Sequence, residues 1–319
     1  MSRMEEILIL KKPPLNMEAI WGDGTLVKRY NPDVSPNLDV NKCPLGGGFG
    51  SDCIITNGKY SGKNLKWLYE NDPLYFGKKE ERKYDDMISI SLNACFASEN
   101  LSVHVHPRED WAMKNLGIHG KSECWYFQET TPNNTVIFGC NAKSLEELDH
   151  YIKKGLWEEL LIRHPIEPGS FYAIKAGTIH SIQKGSFFIE ISNPCPITYR
   201  IYDYERLDSN GNKRKLDIEN AKKNILIPDE YIEFEEKVTQ YGSIKERLMA
   251  DNEDYSAWLY KVEGSGKVPR KKPFCGCFVI TGEGTINGIK IKAGESFMVT
   301  RYSDEFTLEG KMDIIACHG

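Results

Sequence analysis

The chain has 319 residues, a formal charge of -5 and a pI near 5.9, with 40% hydrophobic and 27% charged side chains. That balance belongs to a folded globular protein and excludes a basic nucleic-acid or polyanion binder. No apolar run approaches the roughly 20 residues needed to cross a bilayer. The start, Met1-Ser2-Arg3-Met4-Glu5-Glu6, lacks the basic and apolar regions of a signal peptide. A cytoplasmic protein that engages neither membrane nor nucleic acid is the expectation, and the length suffices for one large or two ordinary domains. Nine cysteines are scattered with no C-x-x-C pair, so reduced, buried thiols are expected rather than a zinc ribbon or a disulfide framework.

In chain order, Gly46-Gly47-Gly48-Phe49-Gly50 comes first. No Lys-Ser/Thr follows it, so it is not a phosphate loop, and it reads as a surface or mouth loop. Residues 64–70 read as a short helix before Asp72-Pro73, and 87–92 alternate as a half-buried strand does. In Leu101-Ser102-Val103-His104-Val105-His106-Pro107, strand alternation turns both histidines to one face and both valines to the other. A paired histidine alone can be an ordinary strand face. With Glu123 and His180 supplied by later strands, the set becomes a plausible divalent-metal site.

Beyond it, 135–139 reads as a buried strand. Ser144 and Glu147 have capping-box spacing, and Leu145, Leu148, Ile152, Leu156 and Leu160 form one apolar stripe of a helical segment at about 143–161. Residues 168–174 read as a turn and strand, and 185–191 as a strand whose Glu190 can face the interior. Residues 197–204 read as another strand, carrying Arg200. A fixed guanidinium there points to phosphate or carboxylate recognition, or else to a structural pair with Asp203 or Glu190. Residues 208–228 turn polar and read as a linker with a short helix. The tail offers strands at 257–262, 276–281 and 294–299, with turns expected at Gly282-Glu283-Gly284 and Asn287-Gly288. Its single histidine is His318, so a structural role is expected for it.

His-x-His, then Glu, then Gly-x-x-His is the cupin ligand order, and with Ser102, Lys121 and Arg200 the chain resembles the type I mannose-6-phosphate isomerases of the short bacterial class. The likeness is clearest from Leu101 to Arg206 and returns in Val279–Gly284 and Phe306–Gly310. It implies a mainly β protein of two cupin (jelly-roll) β-barrels with a small helical segment. Residues 1–225 would form the metal-binding catalytic domain, and 226–319 a cupin-like domain without ligands. It implies zinc, with His106, Glu123 and His180 on ligand positions. His104 stands where the family usually has Gln, a set that also suits iron, manganese or nickel. By the same likeness Ser102, Lys121 and Arg200 contact the substrate, chiefly its phosphate, and Glu190 lines the pocket.

There are departures from the family pattern. Asn93 replaces an expected lysine, Gly50-Ser51-Asp52-Cys53 replaces a Gly-Glu-Ser-Trp-like segment, and Ser192–Pro196 replaces a Gln-rich run. The activity implied is metal-dependent interconversion of mannose 6-phosphate and fructose 6-phosphate, with Arg200, Lys121 and Glu190 as catalytic residues and a sugar phosphate as the partner. The alternatives are a non-catalytic or differently specific sugar-phosphate-binding cupin, and a cupin dioxygenase. No assembly segment is legible, so the oligomeric state stays open.

Overall fold

Apolar alternation becomes strand over much of the chain, and the protein is mainly β. The computed structural model describes residues 5–14, 19–31, 39, 43–208, 211–230 and 234–319. Two units separate. One combines Gly24–Ala94 and Phe234–Gly319 with the N-terminal strand Ile7–Lys11, and the other is built on Cys95–Glu233. All nine cysteines are free thiols. Among the described residues no helix is long and apolar enough to cross a membrane.

The first unit holds a nine-stranded sheet. Its order is Lys237–Tyr241, Ile244–Asp251, Ser256–Pro269, Glu305–His318, Cys275–Ile286, Ser296–Val299, Ile7–Lys11 and Ile54–Ile55, with Ile289–Lys292 on Cys275–Ile286. Trp258, Tyr260, Val262, Phe297, Leu308 and Ile314 pack its core. Each such side chain fully removed from water contributes about 1.5–3 kcal/mol. Asn287 at φ 48° and Gly288 at φ 79° make the tight turn expected of Asn-Gly, which brings Ile286 opposite Ile289.

Two glycine runs behave differently from expectation. Leu45–Phe49 is a buried strand, not a surface or mouth loop. A Cβ at Gly46 would lie 2.3 Å from Leu26 Cβ, and one at Gly48 2.0 Å from the Leu92 carbonyl, so glycine serves close packing here. Gly282-Glu283-Gly284 is likewise no turn. It runs inside Cys275–Ile286, with Gly284 opposite Gly310.

The second unit carries a five-stranded sheet ordered Tyr199–Tyr202, Val103–Val105, His180–Ile182, Thr135–Cys140 and Leu161–Pro165. The unit also contributes the neighbouring strands Ser186–Ser192, Glu123–Thr130 and Phe171–Ile174 of another five-stranded sheet. The expected barrels are open sheets: among the described residues none closes on itself, and each retains edge strands with a single neighbour. Val103, Val105, Ile179, Tyr199 and Ile201 face a core shared with Leu148, Leu160, Ala221 and Ile225. Alternation therefore sends His104 and Arg200 to the opposite face.

The helical segment is broken. Leu145–Lys154 is capped by Ser144 Oγ, which accepts from the Glu147 N–H at 3.2 Å, and it stops at Gly155 in the left-handed region. A short helix Trp157–Leu160 follows. Leu148 and Leu160 reach the core while Leu145 stays exposed, so the apolar stripe is not continuous. The strand expected at 87–92 starts only at Ser91, because Ile88 and Ile90 are buried without pairing in a strand.

Candidate active site

His104 stands on the polar face of the five-stranded sheet, one strand in from its edge. It lies opposite His180 on one neighbouring strand and opposite Arg200 on the other. His106 follows just beyond the strand Val103–Val105. The imidazole centroids lie 4.3 Å apart for His104 and His180, and 5.0 Å apart for His106 with each of the others. One ring nitrogen from each histidine lies within 4.8 Å of the others, and all three residues are buried.

Backbone carbonyls fix the tautomers. His104 Nδ1 lies 2.6 Å from the Ser102 carbonyl, His106 Nδ1 2.8 Å from that of Ile197, and His180 Nδ1 2.8 Å from that of Thr178. A carbonyl only accepts, so each Nδ1 carries the proton and each neutral ring keeps its lone pair on Nε2. Glu123, at the start of Glu123–Thr130, places Oε2 3.5 Å from His106 Nε2 and Oε1 3.5 Å from His180 Nε2. Lys121 Nζ lies 2.8 Å from Glu123 Oε2 and donates to Glu190 Oε1 at 3.3 Å, where Ser192 Oγ also donates at 3.1 Å. Ser102 is buried, and its carbonyl is what holds His104.

Burial pushes His104 well below its ordinary value, and the neighbouring imidazoles add to the effect. Burial likewise takes His180 down to about 4. Burial would raise Glu123, yet the Lys121 charge and then His106 hold its carboxyl well below the usual range. Burial opposes the charge on Lys121, but Glu123 and Glu190 outweigh it and raise its pKa. Burial, then the charge of Arg214, lowers Arg200. The site therefore combines two imidazoles that burial keeps neutral, those of His104 and His180, with an ionised carboxylate and a fixed ammonium.

A family model described as the mannose-6-phosphate isomerase cupin domain matches residues 245–319. The chain is 30% identical over 311 residues to mannose-6-phosphate isomerase ManA of Bacillus subtilis (strain 168), covering 96% of this chain and 97% of that protein. The chain belongs to the type I mannose-6-phosphate isomerase family. The mannose-6-phosphate isomerase of Streptococcus mutans is 28% identical over 303 residues, 94% of each chain. The crystal structure of the mannose 6-phosphate isomerase from Bacillus subtilis superposes with a TM-score of 0.89 at 29% identity, over 98% of this chain and 100% of that one. A phosphomannose isomerase variant from Salmonella typhimurium shares the fold at TM-score 0.76 and 12% identity, over 99% of this chain and 100% of that one.

A type I isomerase of this family would carry a metal, and the residues fit one. Three lone-pair nitrogens converge beside an ionised carboxylate. His180 Nε2 is buried with no hydrogen-bond partner among the described residues. A buried acceptor left unmet costs about 1–3 kcal/mol, and coordination by a divalent transition metal would meet it.

Several groups around the site had no sequence signal. The Ile197 and Thr178 carbonyls that orient His106 and His180 belong to the backbone, so no residue type announces them. Ser192 lies in the segment that departs from the family pattern, and it now faces Glu190. Trp125 stacks its edge 5.4 Å from His180, in register with Glu190.

Proposed function

We propose that this chain interconverts mannose 6-phosphate and fructose 6-phosphate. One observation carries the reading: Lys121 bridges Glu123, at the imidazole cluster, and Glu190, which keeps about 20% exposure at the pocket. An aldose–ketose isomerase needs this arrangement, with a polarising centre, a fixed cation and an acid–base group within one reach.

His104, His106, His180 and Glu123 would hold the metal, for which we propose zinc, with iron, manganese or nickel as other occupants of the same donor set. Such an ion, when bound, supplies a Lewis acid for the sugar carbonyl and hydroxyls. Glu190 takes the proton from C2 of mannose 6-phosphate and returns it to C1, while a second proton passes from O2 to O1, so that the C1 carbonyl becomes a hydroxyl and the C2 hydroxyl a carbonyl. Lys121 steadies the negative charge developing on the substrate oxygens, and its contact with Glu190 holds that carboxylate at the pocket. Arg200 receives the phosphate or shares in holding the enediolate, with Ser102 at the same wall.

The Cys95–Glu233 unit is the catalytic cupin in this account, and the unit matched by the cupin-domain model is structural. Reduced thiols throughout agree with a cytoplasmic setting. The binding-protein and dioxygenase alternatives have no observation of their own in their favour. Incubating metal-loaded and chelator-treated protein with mannose 6-phosphate tests the reading. Fructose 6-phosphate is expected in the first sample alone, and no product in either rejects the proposal.

A further inference from the structure

The guanidinium of Arg200 is held by a segment further along the chain. Its Nη1 donates to the Lys215 carbonyl at 2.9 Å, and the Asp217 N–H donates to the Arg200 carbonyl at 2.7 Å. Arg200 Nε is buried and meets no acceptor among the described residues. The Nη1 bond to the Lys215 carbonyl thus fixes the plane of the fork, and with it the direction in which the remaining Nη donors point.

The neighbour of Lys215 anchors that segment. Arg214 grips Asp203 with two parallel bonds, Nε to Oδ2 at 2.7 Å and Nη2 to Oδ1 at 2.5 Å. Arg206 Nη2 donates to the same Oδ1 at 2.6 Å, and its Nη1 donates to the Asn100 carbonyl. The Asp203 side chain is 5% exposed. Between these partners, Tyr204 at φ 55° and Glu205 at φ 56° are both left-handed, and the Arg206 N–H closes the turn on the Asp203 carbonyl at 3.1 Å. Side chains other than glycine rarely adopt that conformation, and two in succession are rarer. Burying an ion pair contributes little net stability in general, but it fixes geometry well. Here the geometry fixed is that of the strand return carrying the Lys215 carbonyl.

We propose that Asp203 and Arg214 are positioning residues for Arg200: their forked pair pins the Lys215 carbonyl, which aims the Arg200 guanidinium at the anionic groups of the sugar phosphate. This rests on the isomerase reading above. Arg214→Lys keeps the charge and loses the fork. It is expected to lower kcat/KM for mannose 6-phosphate by about ten- to a hundredfold, the usual scale for a misplaced catalytic group, with metal content unchanged. In an Arg200→Ala background the same change is expected to cost less than about twofold, because residues acting as one unit are non-additive.

A full tenfold loss in the Arg200→Ala background, or no loss in the wild-type background, overturns the positioning role. Where Arg214→Lys does not fold, Asp203→Asn with Arg214→Gln removes both charges and keeps a hydrogen-bonded pair, and the same cycle is run with that double variant. Calorimetric binding of mannitol 6-phosphate, which has no carbonyl to isomerise, gives the cycle for each protein without turnover. A wild type that neither binds nor converts sugar phosphate overturns the functional reading along with this one. An active wild type with additive losses overturns the positioning role alone.

Discussion

His104 and Arg200 stand directly opposite each other on adjacent antiparallel strands, so an imidazole of the cluster and the guanidinium rise from one face of one sheet. The opposite face of those strands, with Val103, Val105, Tyr199 and Ile201, is packed core. Any shift of register by one residue would exchange the two faces and lose the site and the core together. The position of the chemistry is therefore tied to the stability of the fold.

His180→Ala removes one of three converging nitrogens. Metal content measured by elemental analysis is expected to fall from about one per chain to under a tenth of that, with isomerisation falling in step. Full metal content in this variant would contradict the proposed ligand set.

Glu190→Gln keeps shape and removes the base. A loss in kcat of about 10²–10⁴ is expected, the range for deleting a general acid–base group, with KM and metal content little changed. Steady-state kinetics on metal-loaded protein checks it. A loss under tenfold would assign the proton transfer to another group.

His318 gives a pH prediction in the first unit. Burial, with Lys272 adding to it, takes its pKa down to about 4 from 6.5, and its ring packs 4.7 Å from Phe274. The unfolded chain then binds a proton that the folded one refuses, so stability falls as pH drops from 6.5 toward 4. For one group the slope is about 1.4 kcal/mol per pH unit, or about 2 kcal/mol lost by pH 5. Urea unfolding at pH 7.5 and pH 5 is expected to show a smaller difference for His318→Phe than for wild type. An equal difference in both would remove His318 from the acid response.

Gly48 tests the reassigned glycine strand. Its φ is 137°, and an added Cβ would lie 2.0 Å from the Leu92 carbonyl. Gly48→Ala is expected to cost about 2 kcal/mol or more, seen as a melting temperature lower by several degrees. Gly62→Ala is the control, since open space surrounds that position although φ is also positive. Its cost is expected to be the smaller.

The legible parts of this molecule were those written in side-chain type and period. His104 and His106 could be read because a two-residue period fixes a shared face, and Arg200 because a cation amid apolar strand residues needs a reason. The short helix at 64–70 was readable for a similar cause: Asn64 caps Leu65–Asn71 by accepting from the Trp67 N–H. What stayed hidden depends on distant backbone. Gly46 and Gly48 look like loop residues until Leu26 and Leu92 arrive beside them. Gly282 and Gly284 look like a turn until Met312 and Gly310 pair with them. The helical stripe from Leu145 to Leu160 overlooked Gly155, whose left-handed backbone stops the helix. Asp203, which the sequence offers as a partner for Arg200, binds Arg206 and Arg214 instead.

The most direct test of the central claim is proton NMR of mannose 6-phosphate in D2O with wild-type and His180→Ala protein, each supplied with zinc. Fructose 6-phosphate resonances are expected to grow with the wild type and to be absent with the variant. Equal conversion by both would contradict that claim, as would a wild type that binds about one metal per chain and leaves mannose 6-phosphate unchanged.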